Sequence, residues 1–146
     1  MIRLGVLGST RGTDLQAILD AIQNHTLDAE VVVVVSNRNK SYILERARHH
    51  NIPDVFVSQK GKTRDEFDRE ITATLLQHGA DLVLLIGFMR ILSAEFCQKW
   101  HDRILNVHPS LLPKYAGGMD NDIHEEVLRN GDVETGCTIH FVTEEV

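Results

Sequence analysis

Asn106 and His108 have the residue types and the spacing for acyl-group chemistry. They lie two residues apart in the run Asn106-Val107-His108-Pro109-Ser110-Leu111-Leu112-Pro113, which begins inside a strand pattern. Residues two apart on a strand point to the same side. An amide donor and an imidazole that converge suit an oxygen that becomes negative during acyl transfer, and the imidazole can also pass a proton. On spacing alone, an Asn and a His that only satisfy loop backbone remain the alternative.

A second candidate is the glycine-containing stretch Gly8-Ser9-Thr10-Arg11-Gly12-Thr13-Asp14. Glycine lets backbone amides approach a ligand closely, and a helix N-terminus offers free N–H groups and a positive dipole end. The stretch therefore predicts an anion site, a phosphate above all. We expect Asp14 to offer its backbone N–H and to turn its carboxylate away from the anion. The alternative is a tight turn with Thr13 as a simple helix cap, because the spacing matches no dinucleotide or Walker loop. Further contacts to the anion are expected from Arg11 and the hydroxyls of Ser9, Thr10 and Thr13.

Alternating strand and helix patterns surround these two stretches and must position them. Buried apolar runs predict strands at Ile2 to Leu7, Ala29 to Val35, Val55 to Val57, Asp81 to Ile86, Ile104 to Val107 and Gly136 to Val142. Helical spacing predicts helices at Thr13 to Ile22, Tyr42 to His50, Thr63 to Gln77, Ser93 to Trp100 and Ile123 to Arg129. Thr63, with Glu66, and Ser93 are expected to cap their helices. The predicted fold is α/β, a doubly wound and mostly parallel sheet, whose ligands bind beyond the carboxyl ends of the strands.

Composition narrows the function classes. The 146 residues suit a single domain, and a net charge of -6 argues against broad nucleic-acid binding. The longest apolar stretches, Val31 to Val35 and Leu82 to Met89, are shorter than the roughly 20 residues of a membrane helix. The chain enters a strand pattern at once, so no signal peptide is expected and a cytoplasmic location is predicted. Cys97 and Cys137 are interpreted as reduced packing thiols.

Four motifs resemble the folate-dependent formyltransferase superfamily, which uses 10-formyltetrahydrofolate. They are the run Asn106 to Tyr115, the run Gly87 to Ser93, the loop that ends Gly12-Thr13-Asp14-Leu15-Gln16-Ala17, and Gly136 to Val142. The similarity extends from Ile2 to Val146. Together the motifs are similar to the branch that formylates the amine of 5'-phosphoribosylglycinamide in purine synthesis.

The resemblance implies a Rossmann-like formyltransferase fold, a formyl-donor co-substrate and roles for individual residues. His108 is the expected catalytic proton donor, and Asn106 is expected to hold the formyl oxygen. The implied ribonucleotide and phosphate segment is Gly12, Thr13 and Asp14. The implied folate residues are Arg64, Met89, Arg90, Ile91, Leu92 and Asn106. No metal is implied, and the expected partners are small molecules only, with no nucleic acid or membrane, in a monomer or homodimer. Without the resemblance, Met89 and Leu92 are read as ordinary core and Arg64 as a surface charge.

The chain departs from the family pattern in three places. Asp14 stands where the family usually has Asn. The segment Ala116 to His124 is longer than in some relatives, although His124 still matches a family His near the substrate. The resemblance also implies an Asp shortly after Val146, which would raise the pKa of His108. Residues 1–146 are therefore expected to be one domain that lacks the family's C-terminal part, and to be slower and more prone to association than a longer form.

Three alternatives stay open at this point. The chain resembles enzymes that deformylate 10-formyltetrahydrofolate with water, and transferases that formylate a tRNA or a sugar nucleotide. The acidic net charge and the predicted anion loop favour a small phosphorylated amine over tRNA. The third alternative is an incomplete domain that binds a nucleotide or folate without chemistry.

Overall fold

The computed structural model describes residues 1–109 and 137–141, and the side chains of residues 1–107. In these ranges the strands are β1 Ile2–Gly8, β2 Ala29–Ser36, β3 Asp54–Phe56, β4 Leu82–Ile86, β5 Ile104–Pro109 and β6 Cys137–Phe141. The helices are α1 Thr13–Gln23, α2 Tyr42–His49, α3 Arg64–Gln77 and α4 Ala94–Lys99. They form one sheet of order β3-β2-β1-β4-β5-β6 with helices on both faces.

Strand alternation builds two hydrophobic layers. Alternate residues such as Val6, Ile86 and Val107 pack with the buried sides of α1 and α2. The intervening residues, such as Leu7 and Leu85, pack with α3 and α4. Because both faces are covered, the central strands are almost continuously apolar, as parallel sheets require.

The strand order reverses between β1 and β4. From β1 the chain proceeds outward to β2 and β3, then returns to place β4 and β5 on the other side. The register aligns Gly8 with Ile86 and Ile86 with Val107, so β1, β4 and β5 run side by side to the same edge of the sheet. Such a switch point leaves a crevice beyond the carboxyl ends, where ligands of doubly wound proteins bind.

The sequence-based fold is confirmed in the described ranges. Strands β1 to β5 are parallel and β6 is antiparallel to β5, which fits a mostly parallel sheet. The capping box of Thr63 and Glu66 is present, and the hydroxyl of Ser93 accepts a hydrogen bond from the N–H of Phe96. The predicted helix from Ile123 to Arg129 lies outside the described residues.

Gly12, and not Thr13, is the N-cap of α1. Gly12 has a left-handed φ of 72°, and no side chain caps the helix. A Cβ at this position would lie 2.4 Å from Cγ1 of Ile43. The glycine is therefore required by backbone conformation and by close contact with α2, because L side chains disfavour this region. The interpretation of Thr13 as the cap is wrong, since Thr13 is already the first helical residue.

We predict that Gly12→Ala lowers the free energy of unfolding by about 2–4 kcal/mol, from a left-handed non-glycine residue and an overpacked contact. Urea denaturation measures the change. Gly12→Ala combined with Ile43→Ala should lose less than the sum of the two single changes, because the smaller side chain relieves the clash. Strict additivity would show that the contact with Ile43 does not carry the cost.

Candidate active site

The predicted site residues collect at one edge of the sheet. The β1–α1 loop (residues 9–12) and the β4–α4 loop (residues 87–93) follow the two strands of the switch point. Asn106 and His108 lie on β5, the next strand along, at its carboxyl end. Sequence reasoning took these residues from three distant stretches, and the parallel register brings the three stretches together.

Ser9 joins the two loops. Its backbone N–H donates to the carbonyl oxygen of Gly87 (3.1 Å), and its Oγ accepts a hydrogen bond from the N–H of Met89 (2.9 Å). The Ser9 hydroxyl then donates to Oδ1 of Asn37 (2.5 Å), which follows β2. Ser9 is 2% exposed, so its hydroxyl is committed to the protein interior. The expectation that Ser9 contacts the anion is therefore not supported by its position.

Gly87 lets the β4–α4 loop pass directly beside the β1–α1 loop. Its φ is 60°, and a Cβ would lie 2.5 Å from Oγ1 of Thr10. A side chain at Gly87 would therefore displace the Thr10 hydroxyl, in addition to straining the left-handed backbone.

Helix α2 fixes the β1–α1 loop from the outside. The N–H of Ile43 donates to the carbonyl oxygen of Thr10 (3.1 Å), and Nε of Arg46 donates to that of Arg11 (3.1 Å). Nη1 of Arg46 also donates to Oε1 of Gln16 on α1 (3.0 Å). The loop carbonyls are thereby occupied by protein donors, and the Arg46 guanidinium brings a positive charge to the loop.

The predicted anion segment has an exposed side and an acidic residue. Thr10, Arg11 and Thr13 are exposed, whereas Gly12 is buried. The N–H of Gln16 donates to the Gly12 carbonyl oxygen (3.2 Å) at the start of α1, and the amides before Gln16 form the first turn of the helix. Asp14 is partly buried in that first turn, where the helix dipole favours a carboxylate.

The four predicted folate residues of the β4–α4 loop have different environments. Met89 and Ile91 are 60% and 61% exposed, so neither side chain belongs to the core. Leu92 is buried against α3 and α4, so its side chain belongs to the core. Arg90 is partly buried, with its guanidinium 4.4 Å from the centre of the Phe67 ring. The loop thus presents two apolar side chains beside a partly buried cation.

A buried carboxyl group fixes the far end of this loop. Oδ2 of Asp68 on α3 accepts a hydrogen bond from the N–H of Ser93 (2.7 Å), the N-cap of α4. Asp68 is 2% exposed, and its Oδ1 and the Nε of Arg90 are buried without a hydrogen-bond partner in the described residues. Burial raises the pKa of Asp68, although hydrogen bonds from Ser93 and the charges of Arg90 and Arg64 oppose the rise.

The remaining predicted residues lie around the same edge. Arg64 is the exposed first residue of α3, and its charge acts on Asp68. Asn106 is partly buried and, by alternation with Leu105 and Val107, lies on the face covered by α3 and α4. His108 lies two residues further along β5, opposite Thr138 of β6. His124 lies outside the described residues.

A cavity in the described part of the chain lies elsewhere. It has a volume of about 850 Å³ and is lined by Met1, Arg3, the start of β2 and residues 50–53. This is the amino-end edge of the sheet, away from the predicted site residues. Across residues 1–109 and 137–141, no cluster of His, Cys, Asp and Glu is arranged to hold a metal ion, and no helix is long and apolar enough to cross a membrane.

Sequence reasoning missed four residues that shape the site: Asn37, Arg46, Gln59 and Asp68. Asn37 directly follows the carboxyl end of β2, so the rule that located the other residues also points to it. Arg46 and Asp68 lie within helices and Gln59 in a loop, and no local pattern distinguishes them from surface residues.

Comparison with known proteins identifies the family. A family model described as formyl transferase matches residues 2–146, nearly the whole chain. The chain belongs to the formyl transferase family. It is 41% identical over 147 residues to the phosphoribosylglycinamide formyltransferase of Haemophilus influenzae, and the match covers 100% of this chain and 68% of that protein.

Other members show how much of each relative is matched. The chain is 44% identical over 147 residues to the trifunctional purine biosynthetic protein adenosine-3 of Chironomus tentans, and spans 10% of that protein's length. Glycinamide ribonucleotide transformylase 1 from Symbiobacterium toebii superposes with a TM-score of 0.77 at 40% identity, covering 99% of this chain and 67% of that one. A formyltetrahydrofolate deformylase from Pseudomonas syringae superposes with a TM-score of 0.72 at 27% identity, covering 99% and 47%.

The buried carboxyl group of Asp68 should make the free energy of unfolding depend on pH. The folded-state pKa of Asp68 is raised, so ionisation of Asp68 opposes folding. The free energy of unfolding of the wild type should therefore fall as the pH rises from the ordinary carboxyl pKa through the raised pKa. Asp68→Asn keeps an oxygen for Ser93 and removes the charge. The difference in free energy of unfolding between Asp68→Asn and the wild type should therefore grow in favour of Asp68→Asn across that pH window and stay constant above it.

Urea denaturation between acidic and neutral pH measures this difference. Asp68→Ala is the matched control, because it removes the acceptor as well and should lower the free energy of unfolding by about 1–3 kcal/mol. A difference between Asp68→Asn and the wild type that is independent of pH would contradict the raised pKa.

Proposed function

We propose that the protein transfers the formyl group of 10-formyltetrahydrofolate to the amine of 5'-phosphoribosylglycinamide, a step of purine biosynthesis. The single observation that carries the proposal is the convergence of the β1–α1 loop, the β4–α4 loop and the end of β5 at the switch point. A transferase of this kind needs an anion site, a donor site and proton-transfer groups within one crevice. The Haemophilus and Symbiobacterium relatives are named for this reaction, which supports the proposal.

The proposed folate site is the β4–α4 loop with Arg64 and Asn106. The exposed Met89 and Ile91 offer an apolar surface to a flat ring, and the loop backbone offers hydrogen-bonding groups to its polar edge. Arg90 and Leu92 complete the loop, mainly by holding its backbone, because Arg90 packs on Phe67 and Leu92 on the core. The apolar exposure of this loop supports the assignment.

The proposed ribonucleotide site is the β1–α1 loop with the start of α1. Gly12 and Thr13 bring backbone amides to the helix N-terminus, where a phosphate is favoured by hydrogen bonds and by the dipole. Arg11 and Thr13 have exposed side chains, which supports further contacts from them to the phosphate. Asp14 contributes through its backbone, since its carboxylate would repel the phosphate.

The proposed chemistry uses Asn106 and His108. The substrate amine attacks the formyl carbon, a new C–N bond forms, and the formyl oxygen becomes negative in the tetrahedral intermediate. Asn106 and His108 stabilise that oxygen by hydrogen bonding. The bond from the formyl carbon to the folate nitrogen then breaks. Over the reaction one proton moves from the attacking amine to the leaving nitrogen, and His108 donates the proton to the leaving group.

Deformylation with water is the second candidate. The superposition on a formyltetrahydrofolate deformylase favours it as the nearest competing reaction on the same fold. The two reactions differ in the nucleophile, and therefore in the need for the β1–α1 loop as an anion site. Formate released from 10-formyltetrahydrofolate without an amine acceptor would support the deformylase. Formyl transfer that requires the phosphorylated amine would support the transferase.

The proposal includes a cytoplasmic protein that acts on small molecules, as a monomer or a homodimer. The acidic net charge of -6 disfavours a nucleic-acid substrate, which supports the small phosphorylated amine over a tRNA.

We predict that His108→Ala, at the protein's natural length, slows formyl transfer by at least about 10²-fold, the usual cost of a lost proton donor. Asn106→Ala should slow it by about 10²- to 10³-fold, the cost of a lost oxyanion donor. Steady-state assays with the folate donor and the phosphorylated amine measure both, and ligand binding should change much less than turnover.

His101→Ala is the matched control, because His101 is exposed and precedes β5 at the opposite edge of the sheet. It should turn over like the wild type. A purely structural Asn106 would instead lower the melting temperature and leave turnover per folded molecule unchanged. Near-normal turnover of His108→Ala would refute the proposed proton transfer.

A further inference from the structure

A closed chain of hydrogen bonds connects two neighbouring residues of the β4–α4 loop through three residues outside it. The N–H of Met89 donates to Oγ of Ser9 (2.9 Å), and the Ser9 hydroxyl donates to Oδ1 of Asn37 (2.5 Å). Nδ2 of Asn37 donates to Oε1 of Gln59 (3.3 Å), and Nη1 of Arg90 donates to the same oxygen (2.6 Å). The series of hydrogen bonds therefore begins at Met89 and ends at Arg90.

The direction of every hydrogen bond in this series is determined by the two donors at its ends, the N–H of Met89 and the guanidinium of Arg90. A guanidinium has only donors, so Gln59 must turn its oxygen toward Arg90. The same oxygen faces Asn37, which must then present its NH₂ group to Gln59 and its oxygen to Ser9. The single hydroxyl proton of Ser9 is used on Asn37, which leaves lone pairs for the N–H of Met89. No amide can be reversed without placing two donors or two acceptors together.

We infer that Asn37 and Gln59 are positioning residues that hold the Met89–Arg90 backbone in the conformation that receives the formyl-donor folate. The inference rests on the proposed function of the β4–α4 loop. Both side chains are hydrogen-bonded directly to residues in or beside the loop: Asn37, which is 8% exposed, accepts from Ser9, and Gln59, on the loop after β3, accepts from Arg90. Together with Ser93 and Asp68 at the far end, they fix the loop on both sides before a ligand arrives.

Preorganisation is the reason that such residues affect binding. A loop that must be ordered on binding loses part of the interaction free energy to that ordering. Met89 and Ile91 are exposed to solvent on the loop whose backbone this hydrogen-bond chain holds. The hydrogen-bond chain therefore maintains an apolar surface in the absence of ligand.

Two pairs of variants separate positioning from bulk stability. Gln59→Leu removes the shared acceptor at an exposed position, so folding is not at risk, whereas Gln59→Glu keeps an oxygen for both donors. Asn37→Asp keeps the hydrogen bond from Ser9. It also places a carboxylate oxygen opposite Oε1 of Gln59, so the hydrogen bond between residues 37 and 59 is lost. Asn39→Asp makes the same chemical change at an exposed residue of the same turn and is the matched control.

Two quantities are measured: amide hydrogen exchange of Met89 and the Kd for 10-formyltetrahydrofolate. Gln59→Leu and Asn37→Asp should raise both by up to about tenfold, the factor that corresponds to one lost hydrogen bond. Gln59→Glu and Asn39→Asp should match the wild type, and the Kd for the ribonucleotide should not change in any variant. A split between the two Kd values is not expected from a merely structural role.

Wild-type values of both quantities in Gln59→Leu and Asn37→Asp would overturn the inference and leave the proposed function standing. A wild-type protein that does not bind 10-formyltetrahydrofolate would instead overturn the proposed function, and the folate part of this inference with it. An equal loss of affinity for both substrates would contradict a role that is specific to the β4–α4 loop.

Discussion

The rest of the candidate site depends on the hydrogen bonds that the hydroxyl of Ser9 makes. This hydroxyl lies at the carboxyl end of β1, accepts the N–H of Met89 from the loop after β4, and donates to Asn37 after β2. A doubly wound sheet brings strand ends to one edge, but it does not by itself fix the loops that follow. One buried hydroxyl, used as donor and as acceptor, joins three of these connections. Because it is buried, the hydroxyl has no water to substitute for a lost partner, which makes the geometry specific.

Four arginines lie around the candidate site although the chain as a whole is acidic. The protein carries a net charge of -6, yet Arg11, Arg46, Arg64 and Arg90 are all placed around the carboxyl ends of the strands. Two of them have structural contacts, since Arg46 holds the β1–α1 loop and Arg90 packs on Phe67, and the charge of Arg64 lowers the pKa of Asp68 against the effect of burial. The same side chains that fix the loops therefore make the edge suitable for anionic substrates. This dual use supports the proposed phosphate and folate sites in an acidic protein.

The sequence predicts the layout of the fold because its signals are local. The run Ala29 to Val35 specifies a buried strand, and Thr63 with Glu66 specifies a helix start. The strand–helix alternation then leads to the correct edge. The details of the site depend on contacts between distant residues, which leave no local pattern. Gly12 was predicted as a backbone contact for a ligand, but its close approach to Ile43 on α2 gives it a packing role as well. Ser9 was predicted as an anion contact, and only its pairing with Asn37, 28 residues away, shows that its hydroxyl is already used.

Titration of ¹⁵N-labelled protein with 10-formyltetrahydrofolate, followed by the amide chemical shifts, tests the central claim that substrates bind at the switch point. The account predicts that shifts concentrate at the β4–α4 loop, at Asn106 and at Ser9, while the cavity beside Arg3 and Asn51 at the opposite edge is unaffected. Subsequent addition of the phosphorylated amine should shift the amides of Arg11 to Thr13. Shifts confined to Arg3, Asn51 and their neighbours would contradict the account, because the donor would then bind at the amino ends of the strands.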